Sequence, residues 1–372
     1  MTVAPNSEAR RARRVVYLFG AGASHACVKA VGGTRGILMK DLGQDLASAV
    51  HNLVTDRYPS RRELLSLVNE VVNEETDYEH LITFLDQSTS ALHRDFAADL
   101  RDVFERVLKQ RLDAIAEELG GAPTGLYQAL LDLYEVPGVD EVLGGILTLN
   151  YDDYIEQAIQ SRPERSVDLG VTLRGRTVTA TSVRLLKLHG SFGWDDSWPI
   201  VATGGPTKLW IPPGIQKAKD RYPFNALWGL AREMLDCDVL RIVGCRLSPN
   251  DWDLISLLFS TRLTHAEGRA YSVEVISSPG HARTLARDYP YLGIRSVLEL
   301  DHVGPQLVCE LIGGEPRPYD SLLEEEQDVL RQKADEVPNW FRLWLKQVAE
   351  WLNRELGSVD TPSGRLRALM EE

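Results

Sequence analysis

The sequence predicts an α/β fold in which helices cover both faces of a parallel β-sheet. Short apolar runs of the kind found in buried parallel strands recur along the chain, and helical patterns separate several of them. Glycine-rich or polar turns directly follow several of these runs. The predicted strands lie at 15–19, 146–149, 184–188, 239–243, 271–276 and 295–298.

The remaining segments are predicted from helical periodicity. A lead-in, residues 1–14, carries arginines that we expect to be solvated. Apolar residues recur at helical spacing from about 38 to 134, which predicts a helical insertion within a sheet domain that extends from 15 to 310. A C-terminal helical segment, 311–372, contains Trp340 and Trp344 one turn apart. Its helix either docks on its own domain or forms an interface with an oligomer or partner.

Composition and charge exclude several classes of protein. The 372 residues are 44% hydrophobic and 26% charged, which is ordinary for a globular chain with a large core. The net charge of −13 repels polyanions, so neither direct nucleic-acid binding nor attachment to an anionic membrane is expected. No apolar stretch is long enough for a membrane span, and the N-terminus lacks the apolar region of a secretory signal.

The four cysteines point to a reducing compartment. They are scattered and form no C-x-x-C pair, so a paired-cysteine zinc site and a disulfide framework are not expected. We therefore expect a cytoplasmic protein that holds no metal.

A glycine-rich turn, Gly20-Ala21-Gly22, follows the first predicted strand. Such a turn lets the backbone approach a phosphate and directs helix N–H groups at it. The dinucleotide pattern G-x-G-x-x-G would place glycine at position 25, where this chain has His25. By itself the turn is therefore weak support for a nucleotide site.

Polar residues follow three further strands. After 146–149 come Asn150 and Asp152, which could bind a ligand at the carboxyl end of the strand or could cap the next helix. His189 follows 184–188 and is suited to acid–base chemistry near neutral pH, although it could equally be a structural histidine. Gly244 and Ser248 follow 239–243 and could contact a ribose or phosphate, or simply connect strand to helix.

The order of these motifs resembles the NAD-binding domain of sirtuins. More closely, TLNYD at 148–152 and KLHGS at 187–191 resemble the sirtuin-like effector domains of bacterial anti-phage defence, and DYEHLI at 77–82 resembles their helical insertion. The resemblance spans roughly residues 15–300. It implies a Rossmann-like parallel sheet with a helical insertion and a C-terminal helical extension.

The resemblance also implies roles for individual residues. The glycine turn and the hydroxyl that follows it would hold the pyrophosphate of NAD⁺, which assigns that part to Gly20, Ala21, Gly22 and Ser24. Asn150 would lie beside the nicotinamide ribose, Asp152 would recognise the carboxamide, and His189 would be the general base. Three residues would lie near the adenosine half: Gly244, Ser248 and Ser277.

Two departures from the sirtuin pattern bear on the reaction. The chain has neither the paired cysteines of the deacylase zinc module nor the usual cofactor-loop run, whose place is taken by VGGTRG at 31–36. Water could then replace an acyl-lysine as the acceptor. The resemblance thus favours an NAD⁺ hydrolase that depletes NAD⁺ in defence, gated by homo-oligomerisation or by a HerA-like hexameric ATPase partner. An NAD-dependent protein deacylase and a non-catalytic nucleotide-binding scaffold are the alternatives.

Overall fold

Seven parallel strands form one sheet in the part of the chain that the structure describes. The structure is a computed structural model, and it describes residues 11–136, 139–171, 182–192, 194, 209–212, 220, 222–265, 271–296, 308–309, 313–336 and 340–356. The strands are β1 Arg13–Phe19, β2 Glu141–Thr148, β3 Ser166–Asp168, β4 Ser182–Lys187, β5 Val239–Val243, β6 Ser272–Ile276 and β7 Ile294–Ser296. The expected α/β class with a Rossmann-like parallel sheet is confirmed.

The strand order, β3-β4-β2-β1-β5-β6-β7, makes β1 the central strand. The chain builds one half of the sheet through β2, β3 and β4, and then returns to the other side of β1 with β5. The order therefore reverses beside β1. In open parallel sheets ligands bind outside the carboxyl ends of the strands at such a reversal.

Six of the strands coincide with predicted ones, and β3 was not predicted. At only three residues, Ser-Val-Asp, this edge strand offers no apolar run to recognise. It pairs with β4 alone, between Ser166–Ser182 and Asp168–Arg184. Residues 297–298 of the last predicted strand, residues 1–10 of the lead-in and the end of the C-terminal segment, 357–372, lie outside the described residues.

Twelve α-helices accompany the sheet in the described ranges. They are α1 Ala21–Ala30, α2 Met39–Arg57, α3 Arg62–Val71, α4 Tyr78–Asp86, α5 Ala91–Leu119, α6 Gly125–Leu133, α7 Tyr154–Gln160, α8 Phe224–Met234, α9 Trp252–His265, α10 Pro279–Asp288, α11 Glu324–Glu336 and α12 Trp340–Leu356. None of these combines the length and apolar character of a transmembrane span.

Helices α2 to α5 enclose an apolar core of their own. Its buried side chains include Leu46, Leu64, Ile82 and Phe96, and it is distinct from the core around the sheet. The predicted insertion also included α6, but Tyr127 and Leu130 of α6 are buried in the sheet core. The separately packed part of the insertion thus ends with α5.

The C-terminal helix α12 docks on its own domain. Phe341 is fully buried, with its ring 6.3 Å from that of Phe19 on β1 and 6.1 Å from that of Tyr127 on α6. The guanidinium carbon of Arg241 lies over the Trp344 ring, 5.6 Å from the ring centroid. Trp351, by contrast, is half exposed. The apolar stripe at 340–345 is therefore part of the domain core.

Arg241, on β5 next to the central strand, organises a buried polar network on this face. It donates two hydrogen bonds to Glu141 on β2, at 2.7 and 2.9 Å, and one to Glu274 on β6 at 2.8 Å. It also donates to the hydroxyl of Tyr17 on β1 at 3.1 Å. The network joins four neighbouring strands, β2, β1, β5 and β6, beneath α12.

Candidate functional site

Two glycine turns interlock at the carboxyl ends of β1 and β5. Gly20 donates its N–H to the Val243 carbonyl at 3.1 Å, and Gly22 donates to the Gly244 carbonyl at 2.9 Å. A Cβ added at Gly20 would lie 2.5 Å from the Cα of Cys245, and one added at Gly22 would lie 2.7 Å from the Gly244 oxygen. Because the obstructing atoms belong to the main chain, neither position can carry a side chain without moving the turn.

The start of α1 is the part of the first turn that faces solvent. Gly20 is its N-cap, Ala21 is exposed and Gly22 is partly exposed. The positive end of the helix dipole favours an anion there. The Gly22 N–H already donates to Gly244 and the Ala23 N–H to Gly20, so neither of these two N–H groups is available to an anion.

Asn150 ties the end of β2 to this turn. Its side-chain nitrogen donates to the Gly20 carbonyl and to the Ser24 hydroxyl, both at 3.0 Å, and the side chain is nearly buried. A carbonyl can only accept, so the nitrogen must be the atom that faces Gly20. Both amide hydrogens are therefore used within the protein. The amide oxygen is the atom with which Asn150 can accept a hydrogen bond from a ligand or water.

The Ser24 hydroxyl joins a cluster of polar side chains made up of Ser24, Tyr127, Asn150 and Asp152. The side chain is fully buried, and its hydroxyl lies 2.9 Å from that of Tyr127 and also hydrogen-bonds the Asp152 carboxylate. The resemblance assigned Ser24 to the pyrophosphate. The structure places its hydroxyl among protein groups of α1, α6 and the turn after β2, and the contact with the pyrophosphate stays a prediction.

The Asp152 carboxylate has a pKa above the ordinary value for an aspartate. Burial raises its pKa to about 6, while Lys187 and the Ser24 hydrogen bond oppose the rise. One carboxylate oxygen accepts the N–H of Tyr154 at 3.2 Å, at the start of α7. The helix-start role considered as an alternative is thus present, and it is compatible with ligand binding because a carboxylate can accept several hydrogen bonds.

His189 lies beside this cluster, just after β4. The segments containing Asn150 and His189 run side by side, since Leu188 donates its N–H to the Thr148 carbonyl at 2.9 Å and the Ser191 hydroxyl donates to the Tyr151 carbonyl at 3.0 Å. The imidazole is nearly buried, and its centre is 6.4 Å from that of the Tyr151 ring.

Asp251 is a candidate site residue that the sequence did not reveal. It lies in the short 3₁₀ helix Pro249–Asp251, and its Oδ1 is 3.8 Å from Nε2 of His189. A carboxylate at this distance favours the imidazolium form of the histidine. In the sequence Asp251 belongs to the run Ser-Pro-Asn-Asp, which looks like ordinary turn chemistry. Only its proximity to His189 distinguishes it.

The two predicted adenosine-side serines have hydroxyls that contact the protein. Ser248 accepts the N–H of Asn250 at 3.3 Å, and Ser277 lies 2.6 Å from Nδ1 of His281. Gly244 adopts a left-handed φ of +55° and donates its N–H to the Ile276 carbonyl at 3.1 Å. Gly244 and Ser277 are therefore neighbours at the ends of β5 and β6.

The insertion reaches the site at two points. Glu79 of α4 accepts a hydrogen bond from Asn250 at 2.7 Å, next to Asp251. The Trp210 ring lies 5.4 Å from that of Tyr151 and 6.4 Å from that of Phe104 on α5.

Within the described residues, no group of three or more His, Cys, Asp or Glu side chains is arranged to hold a metal ion.

Together, the sheet and the polar groups at its carboxyl edge define a Rossmann-like domain with a candidate ligand site. Residues 144–288 match the family model described as a SIR2-like domain. The match runs from within β2 to the end of α10 and includes Asn150, Asp152, His189 and Asp251. Over that segment the chain is thus similar to SIR2-like domains.

Similar solved structures include two mutants of a Sir2 homologue, each in complex with ADP-ribose. Their sequences are 16% and 17% identical to this one, and the TM-scores are 0.37 and 0.36. Each alignment covers 94% of this chain and 96% of the other. No curated protein matches the chain.

Proposed function

We propose that this chain is an NAD⁺ glycohydrolase, which cleaves the nicotinamide–ribose bond to give nicotinamide and ADP-ribose. The observation that carries the proposal is the grouping of Asn150, Asp152 and His189 beside the glycine turn at the reversal of strand order. The similarity of residues 144–288 to SIR2-like domains supports NAD⁺ as the substrate.

NAD⁺ is bound through a carboxylate at one end of the site and the positive end of the α1 helix dipole at the other. The Asp152 carboxylate accepts a hydrogen bond from the carboxamide NH₂ of nicotinamide. The start of α1, at Ala21 and Gly22, favours the pyrophosphate. The turn formed by Gly244 and Ser248, with Ser277 beside it, lies next to the glycine turn and receives the adenosine half of the molecule.

Cleavage builds positive charge on the ribose. The C1′–N bond breaks with its electron pair passing to the ring nitrogen, so nicotinamide leaves neutral and an oxocarbenium-like sugar remains. The Asn150 amide oxygen orients a water toward C1′. His189 accepts the proton of that water as the new C1′–O bond forms. Asp251 stabilises the resulting imidazolium.

We propose further that NAD⁺ depletion is the biological output, in cytoplasmic anti-phage defence gated by homo-oligomerisation or by a HerA-like ATPase partner. This part is supported only by the resemblance of TLNYD, KLHGS and DYEHLI to such effectors. The four free cysteines agree with a reducing compartment.

Product analysis tests the proposed reaction. The purified chain is incubated with NAD⁺, with and without its genomic neighbour, and the products are separated by chromatography. We expect nicotinamide and ADP-ribose without any acylated peptide, and loss of both in Asn150→Ala and His189→Ala. Asn225→Ala on α8 and His51→Ala on α2 make the same changes outside the site and should retain activity.

Three other results would contradict the proposal. Product formed only with acylated peptide would indicate a deacylase. Binding of NAD⁺ without turnover in any mixture would indicate a scaffold. Full turnover by folded Asn150→Ala or His189→Ala would remove the assigned residues from the mechanism.

A further inference from the structure

Lys187 is a fully buried lysine at the end of β4, directly after the buried Leu185 and Leu186. Its ammonium donates to Glu156 at 2.8 Å and to the main-chain carbonyl of Asp152. A charge without water is costly unless it is paired. Both partners belong to the segment that begins with Asn150, so the lysine lies directly beneath the proposed carboxamide-binding turn.

In the part of the chain that the structure describes, Glu156, the partner on α7, has a carboxylate of which only one oxygen is hydrogen-bonded. Its side chain is buried, and Oε2 has no hydrogen-bond partner among the described residues. Replacing a buried ion pair by apolar side chains is often neutral or stabilising, so stability alone does not explain this pair. Its location points instead to an effect on the adjacent carboxylate of Asp152.

The charges that face Asp152 can be identified element by element. Lys187 on β4 favours its ionised form and Glu156 on α7 opposes it. Cys27 on α1, Tyr127 on α6 and Tyr154 on α7 also face it, but burial raises the pKa of each, so they stay neutral between pH 5 and about 8. Near neutral pH, Lys187 and Glu156 are therefore the charges that control Asp152.

We propose that Lys187 and Glu156 are positioning residues for Asp152: Lys187 fixes its main chain and keeps its carboxylate ionised, and Glu156 limits that effect. The site thereby presents a hydrogen-bond acceptor to an amide NH₂ group at neutral pH. The identification of that amide with the carboxamide of NAD⁺ rests on the proposed function. The effect on Asp152 itself does not.

The first test needs no ligand. Unfolding by urea is measured from pH 4 to 10 for the parent, Lys187→Met and Glu156→Gln, each with and without Asp152→Asn. The difference within each pair isolates Asp152. Because its pKa of about 6 is above the ordinary value of 3.8, ionisation costs folded-state stability, which falls as pH rises across that window.

The two single variants should shift this window in opposite directions. Lys187→Met should raise the pKa of Asp152 in the folded protein, which is the upper end of the window, by about one to three pH units. Glu156→Gln should lower that pKa. A merely structural role would lower stability in both variants without opposite shifts. If Lys187→Met does not fold, Lys187→Met/Glu156→Gln removes both charges; it should still shift upward, because the lysine has the larger effect. Unchanged windows, or shifts of the same sign, would overturn the proposal.

The second test uses NAD⁺. A shift of about two units would reduce the ionised fraction of Asp152 at pH 7 by about tenfold, so KM for Lys187→Met should rise about tenfold. The KM increase should be clearly smaller at pH 9, because Asp152 is then mostly ionised in the variant as well, while kcat changes little. A KM increase of the same size at pH 9 as at pH 7 would overturn the proposal. Absence of parent turnover would instead reject the glycohydrolase assignment, and the unfolding experiment would still decide the roles of Lys187 and Glu156.

Discussion

Asp251→Asn tests whether the carboxylate beside His189 supports its function as a base. The two side chains are only 14% and 7% exposed, and Oδ1 and Nε2 lie 3.8 Å apart. At that separation, opposite charges attract by about 4 kcal/mol with an effective dielectric constant of about 20. Desolvation offsets part of this, so we expect a net effect of about 1–3 kcal/mol, or about one to two pH units.

The sign of the expected pH shift follows from the charge. Asp251 favours the imidazolium, so without it His189 loses its proton at lower pH and becomes a weaker base. The acid limb of the kcat profile should therefore move to lower pH by about one to two units. The plateau kcat should fall about 10- to 100-fold, because the imidazolium formed during the reaction is less well stabilised. KM should change little, since Asp251 is not assigned to substrate binding.

The assay is release of nicotinamide from NAD⁺ between pH 5 and 9, followed by chromatography. Asp153→Asn is the matched control, because it removes the same charge at the same edge of the sheet from an exposed side chain. Its profile should match that of the parent. An Asp251→Asn profile that loses rate without any shift, or that shifts to higher pH, would refute the electrostatic reasoning.

Two further predictions concern the scaffold that supports the site. Gly244→Ala should lower the free energy of unfolding, measured in urea, by about 2 kcal/mol or more. The reason is that φ at this position is +55° and the new Cβ would lie 2.3 Å from the Ala23 nitrogen. A smaller loss would show that the two turns can separate. Arg241→Met should lower the free energy of unfolding by about 3–5 kcal/mol, because Glu141 and Glu274 lose their buried partner. Unchanged stability after that substitution would show that the network contributes little.

The larger part of the sheet was predictable because its strands are locally distinctive. An apolar, partly β-branched run that ends in a glycine or polar turn identifies β1 and β5 without any tertiary information. β3 lacks such a run and was missed. The periodicity of α6 identifies it as a helix, but periodicity does not reveal which core buries Tyr127.

The candidate site was predictable only as a set of separate positions. Strand ends supplied Asn150, Asp152 and His189, because a parallel sheet presents its binding groups there. Their hydrogen-bond partners could not be predicted from local pattern. Ser24 lies 126 positions from Asn150, and its hydroxyl serves the protein cluster.

The amino-acid sequence by itself determined which segments become strands and which polar residues follow them, since both depend on neighbours along the chain. Only the tertiary structure decided that Asp251 faces His189 and that Lys187 lies beneath Asp152. Those pairings depend on strand order and on the packing of helices across the sheet. The neighbouring residues along the chain do not show which group a charged side chain will contact after folding. Lys187 follows two leucines, and Asp251 lies in an ordinary turn.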